Sequence, residues 1–238
     1  MITDLLSAAA DIIYPRICPV CGRIVSKRGR DICPQCERKL SYVGNDHCMR
    51  CGKPVDEDAE FCGDCMGTQH IYDEGRAALV YDTYMSKSIY RFKYAGKQEF
   101  ARFYGQVICD RLGRKIKSWN VYAIIPVPVH AGRLKKRGYN QAELIARQMS
   151  KRLGIPVRSD VVTREKVTQA QKKLSARERQ NNLKKAFKVT GNVVKLESVL
   201  VVDDIYTTGA TVDAMAGCLK GAGIRRVYFT SLCIGRGN

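Results

Sequence analysis

No stretch of the sequence approaches the roughly 20 consecutive apolar residues that a membrane-spanning helix needs, so no span is expected. The opening, MITDLLSAAADIIYP, has no basic head and carries Asp4 and Asp11 within its apolar pattern. It reads as a short amphipathic helix, with Leu5, Leu6, Ala9, Ile12 and Ile13 on one side, rather than an export signal. A cytoplasmic location is expected on that ground. Carboxylates are scarce late in the chain: residues 71–238 hold 13 Asp/Glu against 32 Lys/Arg, whereas residues 1–70 hold ten against nine. The net charge of +18 therefore falls after residue 70, and the stretch 130–188, with 17 basic and four acidic residues, is its densest part. Such a cluster favours a phosphate-rich partner. Aromatic residues are few there, only Tyr139 and Phe187, which favours contacts to phosphates over stacking on bases.

What is present first is cysteine. Eight of the eleven form CxxC pairs: Cys18/Cys21, Cys33/Cys36, Cys48/Cys51 and Cys62/Cys65. Two thiolates three residues apart fit one tight turn, and two such knuckles supply the four tetrahedral ligands that Zn²⁺ prefers. The inner spacers, 11 and 10 residues long, make two similar units, and CPVCG and CMRCG each add a glycine that lets backbone amides approach sulfur. A chain without an export signal argues against disulfides. Two structural Zn²⁺ sites are expected, with no ligand position left open, paired either in sequence order or interleaved. Metal binding would supply folding free energy that so small a ribbon cannot obtain from a core. His47 reads as a surface residue, and Cys109, Cys218 and Cys233 as small buried hydrophobes.

The pattern changes near residue 70, which divides the chain into a zinc module (1–70) and a second domain (71–238). Strands are expected at 76–82, 121–129, 155–164 and 226–236. Helices are expected over 85–116, broken at Gly96, and over 140–154, 175–189 (running into a strand) and 210–223. Asn140 is a candidate helix cap. Alternating strands and helices imply an α/β fold with a mainly parallel sheet, whose ligands sit beyond the carboxyl ends of the strands.

VLVVDDIYTTGAT (199–211) falls at such an end. VLVV has the continuous apolar character of a central strand, and Asp203 and Asp204 follow it as poor packing residues. A vicinal diol can donate to paired carboxylates, and a hydrated Mg²⁺ can also bind them. TTGAT then offers three hydroxyls, a glycine and the amides of a helix start, which together make a phosphate seat. A ligand that is sugar at one end and phosphate at the other fits the whole run.

This run resembles the signature of type I phosphoribosyltransferases, which bind phosphoribosyl pyrophosphate (PRPP). The resemblance implies that Asp203 and Asp204 take the ribose hydroxyls, and that Thr207, Thr208, Gly209, Ala210 and Thr211 hold the 5-phosphate. The zinc knuckles, FKYAGK (92–97), PVPVHAGRLKKRGYNQAELIA (126–146), REKVTQAQKKLSARERQNNLKKAF (164–187) and the final motif recur in this order in ComF-type competence proteins. That family is linked to natural transformation, acting with a DNA-translocating helicase on incoming single-stranded DNA. PRPP carries a pyrophosphate that needs Mg²⁺ and cations. Arg133, Lys135, Lys136 and Arg137 at a neighbouring strand end, and Arg164 and Lys166 on a covering loop, are candidates to meet it or DNA. PVPVHAG departs from the superfamily's usual pyrophosphate turn, and no residue stands out as a general base. Two other readings remain: a metabolic phosphoribosyltransferase acting on a small base or amine, and a zinc-ribbon regulator that only senses PRPP. Glutamine amidotransferase chemistry is unlike this chain, because its first cysteine, Cys18, belongs to a metal knuckle.

Overall fold

The computed structural model describes residues 15–25, 29–165 and 186–236. The amphipathic segment expected at the start, Lys166 and residues 175–185 of the helix expected over 175–189 lie outside them.

The zinc module is two copies of one device. In the first knuckle the Cys18 amide donates to Arg23 O and the Gly22 amide to Cys18 O; in the second, the Cys48 amide donates to Lys53 O and the Gly52 amide to Cys48 O. Gly22 and Gly52 both have φ near +80° (77° and 79°), the left-handed turn that lets each chain double back over its sulfurs. One-turn helices α1 (Pro34–Glu37) and α2 (Gly63–Gly67) carry the second pairs, with Cys33 and Cys62 at their N-caps.

The second part is built on four parallel strands, β1 (Glu74–Val80), β2 (Ala123–Pro126), β5 (Ser198–Tyr206) and β6 (Arg226–Ile234), in the order β1-β6-β5-β2. Helices α3 (Thr83–Tyr94) and α4 (Phe100–Ser118) lie between β1 and β2, and Gly96 (φ 68°) separates them as expected. Two further helices follow β2, α5 (Ala131–Arg137) and α6 (Gln141–Leu153), and α7 (Ala210–Gly221) joins β5 to β6. The apolar run at the front of β5 is buried on both sides. Leu200 and Val202 join one core with Phe92, Tyr104, Ile145 and Met149, while Val199 and Val201 join the other with Met215, Leu219 and Phe229. Alternation along one strand thus feeds two layers. The result is a module of two four-cysteine zinc ribbons followed by an α/β domain on a parallel sheet, the fold class that the sequence implies.

Three elements differ from expectation. The strand expected to span 121–129 stops at Pro126, where the next residues turn away before Pro128, which has no amide to give. The strand expected at 155–164 does not join the parallel sheet as a unit. Val157 makes a single bridge to Ile124, and β3 (Val162–Arg164) pairs antiparallel with β4 (Phe187–Val189) as a separate ribbon. The AGRLKKR segment, for which no helix is expected, is the helix α5, entered through the His130 side chain and closed by Gly138 at φ 82°.

Against this sheet the zinc module is packed as part of the core. Cys18, Val20, Cys36 and Leu40 share one apolar cluster with Phe92 and Leu200, and Cys48, Cys51 and Cys62 share the other with Tyr72 and Val201. Ser41 O accepts from the Val80 amide (2.7 Å), and the Val43 amide donates to Ala78 O (3.2 Å), along the outer edge of β1.

Candidate functional site

The four sulfurs of Cys18, Cys21, Cys33 and Cys36 lie within 4.8 Å of one another, and so do those of Cys48, Cys51, Cys62 and Cys65. Pairing is therefore in sequence order. Sulfur separations of 3.9 Å (Cys21–Cys33) and 3.6 Å (Cys51–Cys62) match the edge of roughly 3.8 Å expected when four thiolates surround Zn²⁺ at about 2.3 Å. Both quartets suit structural zinc: each is all sulfur and each leaves no ligand position open.

The second site arises where β2 ends. β2 pairs with β5 up to Pro126↔Val202, and the last bond is from the Val127 amide to Val202 O at 2.9 Å. Beyond that, β5 continues to Tyr206 but pairs only with β6, through Asp203↔Ser231, Ile205↔Cys233 and Tyr206↔Ile234. Asp203 and Asp204 thus lie within the strand, beside the gap left by β2, rather than after its end.

The two acids have different surroundings. Asp204 is 6% exposed, and Lys93 Nζ holds its carboxylate at 2.7 and 2.9 Å. Asp203 is half-buried and its Oδ1 accepts the Asp204 amide at 2.8 Å. Desolvation, and after it the charge of Asp204, push the Asp203 carboxyl up to about 7. Lys93 and Arg164 pull the other way. Arg164, on β3, lies with its guanidinium 5.4 Å from the centre of the Phe187 ring. Burial and the neighbouring Arg133 lower its pKa, and Asp203 opposes them, so Arg133, Arg164 and Asp203 form one electrostatic neighbourhood.

Thr207 and Thr208 are exposed, Gly209 (φ 82°) is the N-cap of α7, and among the described residues no side chain caps that helix. Ala210 and Thr211 form its first turn. Its leading amides therefore have no hydroxyl or carboxylate from the cap residue, the arrangement that leaves a helix start able to receive an anion. Below the loop, the Tyr206 hydroxyl meets that of Tyr72 at 2.7 Å, and Asp213, in the same first turn, accepts from His70 Nδ1 (2.8 Å) and the Ile71 amide (2.7 Å).

Asp203 and Asp204 share the strand edge with Lys93, the charge of Arg164 is felt by Asp203 and that of Arg133 by Arg164, and Thr207–Thr211 stand at the adjoining helix start. Lys135 and Lys136 are exposed on α5, and Arg137 lies over the Tyr94 ring at 5.1 Å. Asn140 is the cap of α6, as expected: its side chain accepts from the Ala142 amide. Sequence reasoning singles out FKYAGK but misses Lys93 as a site residue, and it misses His70 and Tyr72 altogether. The available signal for Lys93 is the need of two adjacent acids for a cation.

Residues 9–66 match the double zinc ribbon domain family. Competence protein F of Haemophilus influenzae is 32% identical over 179 residues, covering 73% of this chain and 78% of that protein. The DNA utilization protein YhgH of Salmonella typhimurium is 30% identical over 220 residues, covering 91% and 89%. Among solved structures, orotate phosphoribosyltransferase from Aeropyrum pernix is similar over 65% of this chain and 67% of its own, with 18% identity and a TM-score of 0.33.

Proposed function

The chain belongs to the ComF family of competence proteins, and we propose that it binds PRPP or a related ribose 5-phosphate and handles incoming single-stranded DNA in natural transformation. One observation carries the ligand reading: paired acids on a strand edge freed by β2, directly followed by a helix start that no side chain caps among the described residues. Asp203 and Asp204 would accept from the ribose hydroxyls. Thr207, Thr208, Gly209, Ala210 and Thr211 would seat the 5-phosphate, and Mg²⁺ would accompany the pyrophosphate. Lys93 now fills the diol position as the partner of Asp204, so ligand hydroxyls would share or displace it. PRPP with Mg²⁺ is expected to protect the protein against thermal unfolding, and Asp203→Ala plus Asp204→Ala to abolish the protection. An unprotected wild type would remove the ligand from the account.

The DNA surface would begin at the same place. The two aromatics of the basic stretch, Tyr139 and Phe187, are buried, but α3 presents Tyr90 and Tyr94, 64% and 63% exposed and 5.0 Å apart, beside Arg137 of α5. Stacking faces beside Arg137 support contact with bases as well as phosphates, which departs from the purely electrostatic expectation. Affinity for an unpaired oligonucleotide is expected to fall steeply between low and about 200 mM added salt, roughly in proportion to the phosphates neutralised. An abasic strand of equal length should bind more weakly than oligo-dT. The division near residue 70 separates a near-neutral module suited to a protein partner, such as the translocating helicase, from a basic domain suited to DNA.

A second reading, an active phosphoribosyltransferase, is favoured by the charge of Arg164 beside Asp203 and of Arg133 beside Arg164, where cations would meet a departing pyrophosphate. Pyrophosphate release from PRPP, screened against a panel of bases with and without single-stranded DNA, distinguishes the two.

A further inference from the structure

The segment that leaves the second ribbon passes directly beneath the 207–211 loop. Arg50 stands between the ligands Cys48 and Cys51, and its Nη1 donates to Tyr72 O (3.1 Å) and Asp73 O (3.3 Å). Its own carbonyl accepts the Gly75 amide at 2.8 Å. The knuckle therefore grips residues 72–75 from both its side chain and its backbone. From that gripped segment two groups reach the loop. The Tyr72 hydroxyl bonds that of Tyr206, and His70, stacked on Tyr72 at 4.7 Å, bonds Asp213.

His70 is nearly buried, and its Nε2 has no hydrogen-bond partner among the described residues. Asp213, a carboxylate, can only accept, so Nδ1 carries the hydrogen. A Cβ placed on Gly209 would lie 2.9 Å from His70 Cε1 and 2.5 Å from Tyr206 Oη, so these rings form the floor on which the loop rests. Asp213 explains why that floor matters for a ligand. Its negative charge sits in the first turn of α7, the end at which a phosphate would bind, where a free carboxylate would repel an incoming anion or cap the helix in its place. His70 and the Ile71 amide occupy both of its oxygens.

We propose that His70 is the positioning residue of the 207–211 loop, holding Asp213 away from the anion site, and that Arg50 ties it to the second zinc ribbon. The inference rests on the ribose-phosphate reading for its ligand, but the loop can be observed without one. Zinc at Cys48, Cys51, Cys62 and Cys65 then tunes ligand affinity, and ligand in turn tightens the binding of that zinc by the same factor, because coupling between two sites is reciprocal.

The experiment uses the full, zinc-loaded chain in four variants. His70→Phe keeps a ring on Tyr72 but cannot donate; Arg50→Ala releases the segment. His70→Phe with Asp213→Asn removes the freed charge, and Arg102→Ala breaks only the contact of α4 with Asp31 in the first ribbon. Without ligand, amides 207–213 are expected to exchange hydrogen faster in the first two variants and at the wild-type rate in Arg102→Ala. With PRPP and Mg²⁺, the first two should bind about tenfold more weakly, within the usual range of site coupling, with zinc content unchanged. Asp213→Asn should restore most of the loss in the His70→Phe background, which a packing defect would not allow. Wild-type exchange rates in His70→Phe and Arg50→Ala would overturn the proposal whatever the ligand does. Absence of PRPP binding by the wild type would instead remove the ligand reading, leaving the exchange data to decide the loop.

Discussion

Asp203 has to be ionised to accept a ribose diol, yet its surroundings favour the proton. Its carboxyl goes from an ordinary value of 3.8 to about 7 in the folded chain. Between those values the folded state keeps a proton that the unfolded state has lost, so stability contributed by this group falls as pH rises through the window and levels off above it. Asp203→Asn should accordingly melt higher than the wild type, without ligand, at about pH 8, and the difference should shrink toward about pH 4. Paired melting curves at the two pH values check this, and a constant gap between them would refute the desolvation account. Gly209 makes a second demand at this scale. With φ at 82° and a prospective Cβ 2.5 Å from Tyr206 Oη, Gly209→Ala is expected to lose PRPP protection and to cost stability by at least the about 1–2 kcal/mol of a left-handed residue. Thermal shift with and without PRPP measures both losses.

At the scale of elements, the site depends on β2 stopping early and α3 filling what is left. Two prolines within three residues end β2, and α3 sends Lys93 into the gap to hold Asp204. Lys93→Met should destabilise the unliganded chain by about 1–3 kcal/mol, since it strands a nearly buried carboxylate. Adding Asp204→Asn should recover most of that, and a double-mutant cycle by denaturant unfolding tests the pairing. Which elements are legible in the sequence follows from how local their signals are. β5, its loop and α7 are readable because an apolar run, two acids and a glycine-marked helix start are consecutive. The two knuckles are readable for the same reason. α5 is not, because GRLKKRG carries a single large apolar residue, exposed Leu134, and so shows no helical stripe. β3 and β4 fall inside the strand expected at 155–164 and at the strand end of 175–189, but their antiparallel pairing joins segments far apart in the chain and leaves no local trace. Lys93 and Asp204 are 111 positions apart, and His70 and Asp213 are 143 apart, so neither contact leaves a local trace.

For the whole molecule, the shared cores mean that zinc and fold stand or fall together. Ligand cysteines of the first ribbon are buried with residues of the sheet, α3 and α4, and those of the second with residues of the sheet and α7. A chelator is therefore expected to shift a single unfolding transition downward, with zinc release and loss of helical signal coinciding, instead of melting a ribbon away from an unaffected domain. About two zinc ions per chain should be recovered, one for each quartet. Zinc release that is complete well before any helix is lost would separate the two parts again.

The backbone bonds that the 41–43 segment makes along β1 have a consequence of another kind. β1 is an outer strand with a nearly continuous buried sequence, and these bonds, with that from Gly75 to Arg50, engage its Gly75 and Val80 amides and its Ala78 carbonyl. A chain made when zinc is scarce would present those groups bare, and a bare apolar edge recruits the same edge from its neighbours. The cell's metal supply would then decide how much of this protein accumulates in solution and how much is lost to aggregates, before any ligand or DNA strand is met.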